Sequence, residues 1–246
     1  MSRNNGIARV IVTGASSGIG RAVTLRLLQD NYHVLGIARN FSRHPLDHGQ
    51  FVAEEMDLSN IEALPEKFAL LAKTNPDVGA IVFCAGRGQF GALEEFSYSQ
   101  MQEIVNLNFL SQAYLAKAFL PVMKKRKIGK LVFIGSESAL KGARKGAIYC
   151  ASKFALRGMA QALRDECSKS GIAVSIINPG MVKTPFFDAL NFEPGRDSEN
   201  YLLPEDVANA VSFVLHARAD AVIDEINLSP LKNVVLHKPL LSKPKK

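Results

Sequence analysis

A short apolar run, residues 8–12, leads into the glycine-rich stretch Thr13-Gly14-Ala15-Ser16-Ser17-Gly18-Ile19-Gly20, and an amphipathic helical pattern follows over residues 18–30. Between a strand and a helix, Gly14 would permit a tight turn, Gly18 would let a pyrophosphate approach the backbone, and Gly20 would let the helix pack close to the strand. The free N–H groups and the positive end of the helix would then face the phosphates. This stretch therefore predicts a dinucleotide-binding turn.

The rest of the chain continues this alternation of strands and helices. Further apolar runs predict strands at 33–38, 51–56, 80–84, 130–135, 172–177 and 221–228. Helical periodicity covers residues 61–73, 99–125, 147–169 and 205–217. Most of the runs lack period-2 alternation, as expected for strands buried on both faces of a parallel sheet. We therefore predict an α/β fold: one Rossmann-type, doubly wound domain over residues 1–246, with a seven-stranded, mostly parallel sheet flanked by helices on both faces.

Two segments depart from the alternation. Residues 185–203 form a long irregular stretch, and unstructured loops of this length in compact domains are often lids, so we predict a substrate lid there. Residues 232–246 carry several lysines and are predicted to form a frayed basic tail. No internal repeat or linker divides the chain.

The composition excludes several classes of protein. With 246 residues, 47% of them apolar, the chain can bury a sizeable core without disulfides or metals. Cys84, Cys150 and Cys167 are few and widely spaced, which fits a reducing compartment, excludes a CxxC zinc site and predicts no metal. No run approaches about 18 apolar residues, and the first residues lack the apolar core of a secretory signal. We expect a cytoplasmic protein with no membrane contact.

The net charge of +7 raises the possibility of a nucleic-acid partner. Much of the basic excess is local, in Lys124-Lys125-Arg126-Lys127 and in the tail lysines Lys238, Lys243, Lys245 and Lys246. These runs lack interleaved aromatic residues and a recognisable nucleic-acid-binding fold, so we expect no nucleic-acid partner. A solvated basic surface is the simplest interpretation, with an acidic partner or substrate as the alternative.

The end of the second predicted strand indicates which dinucleotide binds. A site that prefers NAD would place Asp or Glu there to bond the ribose 2′-OH. The strand instead ends with Ala38 and Arg39. A guanidinium can grip a 2′-phosphate with two hydrogen bonds and stack on adenine, so Arg39 favours NADP.

A tyrosine and a lysine stand four residues apart, and thus on one face, at the start of the helix predicted at 147–169. The ordinary pKa of tyrosine, about 10, is poorly matched to proton transfer near neutrality. An ammonium group at Lys153 would favour the phenolate of Tyr149 and lower that pKa. Ser136 ends the fifth strand and would meet the helix start at the same sheet edge, where it could hydrogen-bond the carbonyl that Tyr149 protonates.

Asn108 is polar but falls in line with the apolar row of the helix predicted at 99–125. A buried amide without partners is costly, and a polar residue that breaks a local pattern often marks a functional site. A core asparagine bonded to backbone is the alternative. The other candidates follow the six predicted strands in order, at the edge where open α/β sheets bind ligands: Gly14, Arg39, Asp57, Ala85-Gly86, Ser136 and Pro179-Gly180.

Together these motifs strongly resemble the short-chain dehydrogenase/reductase family, over about residues 7–215. Residues 13–20 resemble the Thr-Gly-x-x-x-Gly-x-Gly motif of the family, and Asp57 matches its adenine-contacting Asp. Residues 178–184 resemble the Pro-Gly segment that lies beside the nicotinamide in the family. The catalytic Asn-Ser-Tyr-Lys tetrad of the family falls on Asn108, Ser136, Tyr149 and Lys153.

The resemblance implies an oxidoreductase that moves hydride between NADP(H) and a carbonyl or secondary alcohol. Tyr149 would be the general acid/base, and Ser136 would polarise the substrate oxygen. Lys153 would hold the nicotinamide ribose and lower the pKa of Tyr149, while Asn108 would hold a water that relays protons through Lys153. The implied cofactor contacts are Gly14, Ser16, Ser17, Gly18, Ile19, Arg39, Asp57, Leu58, Ala85, Gly86, Tyr149, Lys153, Pro179, Gly180, Val182 and Thr184.

The sequence also departs from the family pattern. The Asn-Asn-Ala-Gly segment of the family appears as Phe83-Cys84-Ala85-Gly86, so side-chain hydrogen bonds to the neighbouring strand are lost. Many members have glycine where this chain has Ser111. The last strand, within residues 226–230, lacks the frequent Gly-Gly. The departure in the last strand affects the family's implications for the end of the substrate pocket and for any C-terminal oligomer contact. It does not affect the implied cofactor site.

The resemblance favours members acting on small 3-hydroxy acids and related 3-oxo compounds. Lys141, Arg144 and Lys145 could attract a carboxylate or phosphate, although solvated loop charges are the simpler interpretation. Reduction of 3-oxoacyl groups on an acidic carrier protein is a second enzymatic function, and a sensor or scaffold that binds NADP without turnover is an alternative of another class. The family resemblance also implies a homodimer or homotetramer.

Overall fold

A seven-stranded parallel sheet forms the centre of the protein, in a computed structural model that describes residues 6–238. Its strands are β1 (Arg9–Thr13), β2 (His33–Ala38), β3 (Phe51–Glu55), β4 (Val78–Phe83), β5 (Gly129–Ile134), β6 (Ile172–Pro179) and β8 (Glu225–Leu228). They lie in the order β3-β2-β1-β4-β5-β6-β8, and every neighbouring pair is parallel. The order steps outward from β1 in both directions, so the predicted doubly wound α/β sheet is confirmed.

In the described part of the chain, six α-helices connect and cover the strands. They are α1 (Gly18–Gln29), α2 (Leu64–Thr74), α3 (Tyr98–Val105), α4 (Ser111–Arg126), α5 (Ala147–Ser168) and α6 (Pro204–His216). The helix predicted at 99–125 is divided into α3 and α4 by a π-helical turn over Asn106–Leu110. Such turns often occur at functional sites, and this one contains Asn108.

Each face of the sheet has its own core. Val10 and Val12 of β1 point into a cluster with residues of α1 and α6, whereas Ile11 points into a cluster with residues of α2, α4 and α5. Strands β4 and β5 are buried along their whole length. Burial on both faces explains why these runs read as continuous apolar sequence instead of alternating.

Two predicted segments differ from the structure. The last strand begins at Glu225, not at residue 221, because the apolar residues before it include Ile223, which packs on the core without pairing in the sheet. Short strands that the sequence analysis did not predict also lie within residues 185–203 and in the described part of the C-terminal segment. Strand β7 (Phe192–Pro194) pairs antiparallel with β9 (Val235–His237), so the described part of the tail is folded onto the loop. Residues 239–246 lie outside the described residues.

A buried lysine joins the sheet to α6. The ammonium of Lys130, on β5, donates hydrogen bonds to the carbonyls of Val214, Leu215 and Ala217 at distances of 2.8–3.1 Å. The last carbonyls of a helix have no partner within the helix, and a cation there also meets the negative end of the helix dipole. Lys130 therefore caps α6 from within the sheet. Within residues 6–238, every helix falls short of the length and apolarity needed to span a bilayer.

Candidate active site

The glycine-rich turn after β1 has the geometry that its sequence predicts. Gly14 has a φ of +69°, and a Cβ there would lie 3.1 Å from the Cα of Ala85. Gly18 has a φ of +51°, and a Cβ on Gly20 would overlap the carbonyl oxygen of Gly14. Side chains at these three positions would be strained or would push α1 away from β1, so the turn requires glycine.

The N-terminus of α1 is open to an anion. The helix begins at Gly18, its N-cap residue Ser17 is extended and makes no side-chain cap, and the first turn contains no acidic residue. The first N–H groups of a helix have no partner within the helix. Ser16 and Ser17 flank this end, and Ile19 lines the neighbouring pocket. These residues therefore form a cradle suited to a phosphate.

Arg39 and Asp57 lie near each other at the ends of β2 and β3, and both are exposed. The carboxylate of Asp57 accepts hydrogen bonds from the backbone N–H of Ser59 at 2.9 Å and from its hydroxyl at 2.7 Å. These bonds, followed in size by the charge of Arg39, lower the pKa of Asp57. Leu58 is buried beside it. The carboxylate is thus fixed in its ionised form at the same sheet edge as the glycine turn.

The end of β4 is tied to β1 by a threonine. The hydroxyl of Thr13 accepts hydrogen bonds from the N–H groups of Cys84 and Ala85, both at 3.0 Å. The family has two asparagines where this chain has Phe83 and Cys84, and the sequence therefore predicted the loss of side-chain hydrogen bonds between β4 and its neighbour. Thr13 supplies equivalent bonds from the other strand, and Ala85 and Gly86 are held beside the glycine turn.

A pocket of about 370 Å³ opens at this edge of the sheet. Ser136, Tyr149 and Lys153 all line it, although each is largely buried. The hydroxyl of Ser136 lies near enough to the phenol of Tyr149 to lower its pKa. The other predicted site residues in the lining are Ile19, Gly86, Pro179, Gly180, Val182 and Thr184.

Burial controls the acidity of the two titratable groups. Burial raises the pKa of Tyr149 to about 12, and the nearby hydroxyl of Ser136 opposes this only in part. Burial lowers the pKa of Lys153 to about 8, while the nearby thiol of Cys84 favours its charged form. The Lys153 ammonium lies 6.0 Å from the centre of the phenol ring and donates to the carbonyl of Ile134 at 3.0 Å. The pKa of Tyr149 is therefore raised overall, since desolvation is the largest contribution, and the expected lowering by Lys153 remains a prediction.

Asn108 is completely buried beneath the pocket and does not line it. Its side chain accepts from the N–H of Arg87 at 2.9 Å and donates to the carbonyl of Arg87 and to Ser152. The backbone carbonyl of Asn108 accepts a hydrogen bond from the side-chain amide of Gln112 at 2.9 Å. The same amide also donates to the backbone carbonyl of Ala85. Asn108 thus links the end of β4 to α5, the helix that carries Tyr149 and Lys153.

The segment after β6 closes the pocket from the other side. Val182 bridges to Leu202, and the hydroxyl of Thr184 accepts from the N–H of Phe186 at 3.3 Å. The Thr184 side chain lies 3.5 Å from the point where a Cβ on Gly18 would stand. The sixth strand end therefore meets the glycine turn, as the order of the motifs predicts.

Aromatic residues that the sequence analysis did not identify surround the phenol. Phe90 lies 5.1 Å and Phe186 6.0 Å from Tyr149, measured between ring centres, and Phe187 and Phe192 complete a ladder of edge contacts. We call these four phenylalanines the aromatic wall. A side chain on Gly88 would overlap the ring of Phe186. Three of the four rings come from the predicted lid. The apolar character of these phenylalanines in a loop was the feature of the sequence that could have indicated a role in the pocket.

The C-terminal segment also contributes to the pocket, through Asn233, Val235 and His237. Lys238 fastens this segment, since its N–H donates to the carbonyl of Asn191 at 2.8 Å and its ammonium to that of Phe187 at 2.6 Å. The predicted lid and tail are thus parts of one wall of the pocket.

The charges at the pocket mouth differ from those expected. Of the three basic residues considered for binding an anion, Arg144 lines the pocket, whereas Lys141 and Lys145 lie exposed outside the lining. Arg87 also lines it but pairs with Glu103 at 2.8 Å. An acidic residue that was not predicted, Glu137, lines the same pocket. Among residues 6–238, no three His, Cys, Asp or Glu side chains are grouped to hold a metal ion.

A parallel sheet with a phosphate cradle and a Ser–Tyr–Lys pocket at one edge is the arrangement of a Rossmann-type oxidoreductase. The family described as short chain dehydrogenase matches residues 8–194, and the chain belongs to this family. An uncharacterized oxidoreductase of Staphylococcus aureus is 27% identical over 226 residues, covering 90% of this chain and 96% of its own. Estradiol 17-beta-dehydrogenase 1 of Rattus norvegicus is 33% identical over 199 residues, 76% of this chain and 57% of its own.

Solved structures agree with this assignment. An alcohol dehydrogenase of the archaeon Thermococcus sibiricus, complexed with 5-hydroxy-NADP, is 27% identical. It superposes with a TM-score of 0.80 over 98% of this chain and 100% of its own.

Proposed function

We propose that the protein is an NADP(H)-dependent oxidoreductase that interconverts a carbonyl and a secondary alcohol in a small-molecule substrate. The observation that carries this proposal is that Ser136, Tyr149 and Lys153 line one pocket beside the glycine turn. A proton donor, a hydroxyl that can orient a carbonyl oxygen and a cation are the groups that carbonyl reduction requires.

The residues present fit the cofactor. The cradle at Gly14, Ser16, Ser17, Gly18 and Ile19 suits the pyrophosphate, because a Cβ at either φ-positive glycine would be strained and the end of α1 offers free N–H groups. The remaining contacts would come from Arg39 at the 2′-phosphate, from Asp57, Leu58, Ala85 and Gly86 along the adenosine half, and from Pro179, Gly180, Val182 and Thr184 at the nicotinamide. NADPH, when bound, supplies the hydride. The NADP analogue bound to the Thermococcus sibiricus relative supports the choice of NADP.

Tyr149 would donate the proton to the substrate oxygen. With a pKa raised to about 12, the phenol stays protonated at neutral pH and is ready to act as an acid in the direction of reduction. Ser136 would hold the carbonyl oxygen toward it. Lys153, with a pKa of about 8, is mostly protonated at neutral pH, and its charge would stabilise the phenolate that donation leaves behind.

Asn108 would act by positioning. Its side chain is committed to Arg87 and Ser152, and one lone pair of its carbonyl is used by Gln112. These bonds fix the start of α5, and with it the separation of Tyr149 from the strand ends. The proton-relay water expected at Asn108 remains a prediction.

Two wider proposals follow from the family. Residues 1–246 would act as one domain, because one pocket draws its lining from the glycine turn, the lid and the C-terminal segment. Two copies would pair through α4 and α5, where Phe154 is 44% exposed, to give a homodimer or homotetramer. Size-exclusion chromatography with light scattering tests the assembly, and Phe154→Asp should release monomers if this face is used.

The proposed reaction is tested by NADPH oxidation. Purified protein should consume NADPH in the presence of members of a panel of aldehydes, ketones, 3-oxo acids and 3-oxoacyl thioesters, and Tyr149→Phe should not. A protein that binds NADPH but turns over no member of the panel would instead be a sensor or scaffold. Turnover confined to carrier-linked 3-oxoacyl substrates and abolished by salt would select the acyl-carrier reductase.

A further inference from the structure

Glu137 places a carboxylate inside the substrate pocket. It directly follows Ser136 and begins the short helical turn Glu137–Ala139, whose start turns the chain into the pocket. A carboxylate oxygen lies 3.3 Å from the point where a Cβ on Gly180 would stand, and its charge contributes to the raised pKa of Tyr149. The carboxylate therefore lines the same pocket as the phenol that would protonate the substrate.

The charge of Glu137 is not balanced within the described part of the protein. Among residues 6–238, its carboxylate forms no ion pair and accepts no hydrogen bond, and burial raises its pKa. The lysine and the arginines that line the same pocket have other partners or are exposed: Arg87 pairs with Glu103, Lys153 donates to the carbonyl of Ile134, and Arg144 is exposed. A half-buried carboxylate without a partner is unfavourable, and a ligand that brings a positive charge or a hydrogen-bond donor would relieve this cost.

Much of the remaining pocket lining is apolar. The aromatic wall surrounds the Tyr149 phenol, and Met181 and Val235 extend the apolar lining. Apolar rings gain from burying a hydrocarbon body and offer nothing to a carboxylate or a phosphate. A substrate that fits both the carboxylate and the apolar lining therefore combines an aryl or alkyl body with a donor group close to the reacting carbonyl.

We infer that the substrate is an amino ketone with an apolar body, and that Glu137 selects it by binding the ammonium group next to the carbonyl. This inference rests on the proposed carbonyl reduction. The ketone carbon gains a hydride from NADPH, which leaves as NADP⁺, and the ketone oxygen gains the proton of Tyr149, which is replaced from solvent. The ammonium group is bound but unchanged. A small 3-oxo acid would instead bring its carboxylate against Glu137, where like charges repel.

The test uses four ketones with the same phenyl body and different neighbouring groups. They are 1-phenylpropan-1-one (neutral), 2-hydroxy-1-phenylethanone (neutral donor), 2-amino-1-phenylethanone (cation) and 3-oxo-3-phenylpropanoate (anion). The kcat/KM of each with NADPH is measured for wild-type protein and for Glu137→Gln, which keeps the shape and removes the charge. Comparing the two proteins cancels the intrinsic reactivity of each ketone. Glu137→Asp, which keeps the charge, is the conservative control.

We expect Glu137→Gln to lower the ratio of kcat/KM for the cation to that for the neutral ketone by tenfold or more, and to raise the relative rate of the anion. The neutral ketone should change by less than about threefold, and Glu137→Asp should keep most of the preference. Arg144→Gln, the matched change of a pocket cation, should not lower the cation ratio. An unchanged ratio in Glu137→Gln, or a wild-type preference for the anion, would overturn the inference while leaving carbonyl reduction in place.

Two further outcomes separate this inference from the proposed function. A wild-type protein that reduces none of the ketones would count against the proposed function. Calorimetric titration of the four ketones into protein saturated with NADPH then still measures the charge preference and its loss in Glu137→Gln. A variant with altered NADPH or NADP⁺ affinity and an unchanged ketone preference would place the carboxylate on the cofactor and also overturn the inference.

Discussion

Carbonyl reduction should slow as the pH rises through about 8. Burial lowers the pKa of Lys153 from 10.5 to about 8, so the ammonium that would stabilise the phenolate of Tyr149 is present below this pH and lost above it. The pKa of Tyr149 is raised to about 12, so the phenol remains protonated up to at least pH 10 and adds no further decline. The decline should therefore reflect Lys153 alone.

The expected size follows from one titrating group. If the neutral lysine supports no reaction, kcat/KM falls tenfold for each pH unit above 8, or about 100-fold by pH 10, and each unit corresponds to about 1.4 kcal/mol. In the oxidation direction Tyr149 must accept a proton, so that rate should rise with pH instead. The assay is the initial rate of NADPH oxidation with 1-phenylpropan-1-one between pH 6 and 10, at constant ionic strength and saturating NADPH.

The matched control is Lys153→Arg, whose guanidinium keeps its charge throughout this range. Its reduction rate, whatever its absolute value, should show no decline near pH 8. A wild-type rate that stays flat to pH 10, or a decline near pH 8 that persists in Lys153→Arg, would refute the assignment of this charge to Lys153.

Three further predictions test other parts of the structure. Lys130→Met should leave three helix-end carbonyls without their buried donor and lower the free energy of unfolding by about 3 kcal/mol. Scanning calorimetry should then show a Tm lower by roughly 6–12 °C, and an unchanged Tm would contradict this capping role. Arg39→Ala should raise the Kd for NADPH about 10- to 100-fold and leave that for NADH unchanged, as measured by cofactor fluorescence, and equal effects on both would exclude a 2′-phosphate contact. A chain ending at Leu231 should lose β9 and raise KM for the ketone while keeping NADPH affinity, and an unchanged KM would show that β9 does not shape the pocket.

The features that could be predicted from the sequence depend on short-range chemistry. Gly14, Gly18 and Gly20 are required by a turn of a few residues, so their spacing alone indicated the cradle. The strands of the sheet could be predicted because strands that are buried on both faces appear in the sequence as continuous apolar runs. Because the carboxyl ends of parallel strands share one edge of the sheet, the sequence could predict that Ser136 and Tyr149 lie near each other.

The features that could not be predicted depend on contacts between distant segments. The pairing of β7 with β9 joins residues 192–194 to 235–237, and three-residue strands leave almost no pattern in the sequence. The partners of Asn108 were hidden in the same way, since they lie in the backbone of Arg87 and in α5. The spacing of Tyr149 and Lys153 does not indicate how deeply they are buried, and burial raises the pKa of the phenol to about 12.

The most direct test of the proposed chemistry compares wild-type protein with Tyr149→Phe. The phenyl ring keeps the contacts with Phe90 and Phe186 and removes only the hydroxyl group. If Tyr149 is the proton donor, the variant should bind NADPH with wild-type affinity, as measured by fluorescence, while its kcat for ketone reduction falls by at least 100-fold. Ketone reduction at a rate close to that of the wild type would show that the proton comes from elsewhere.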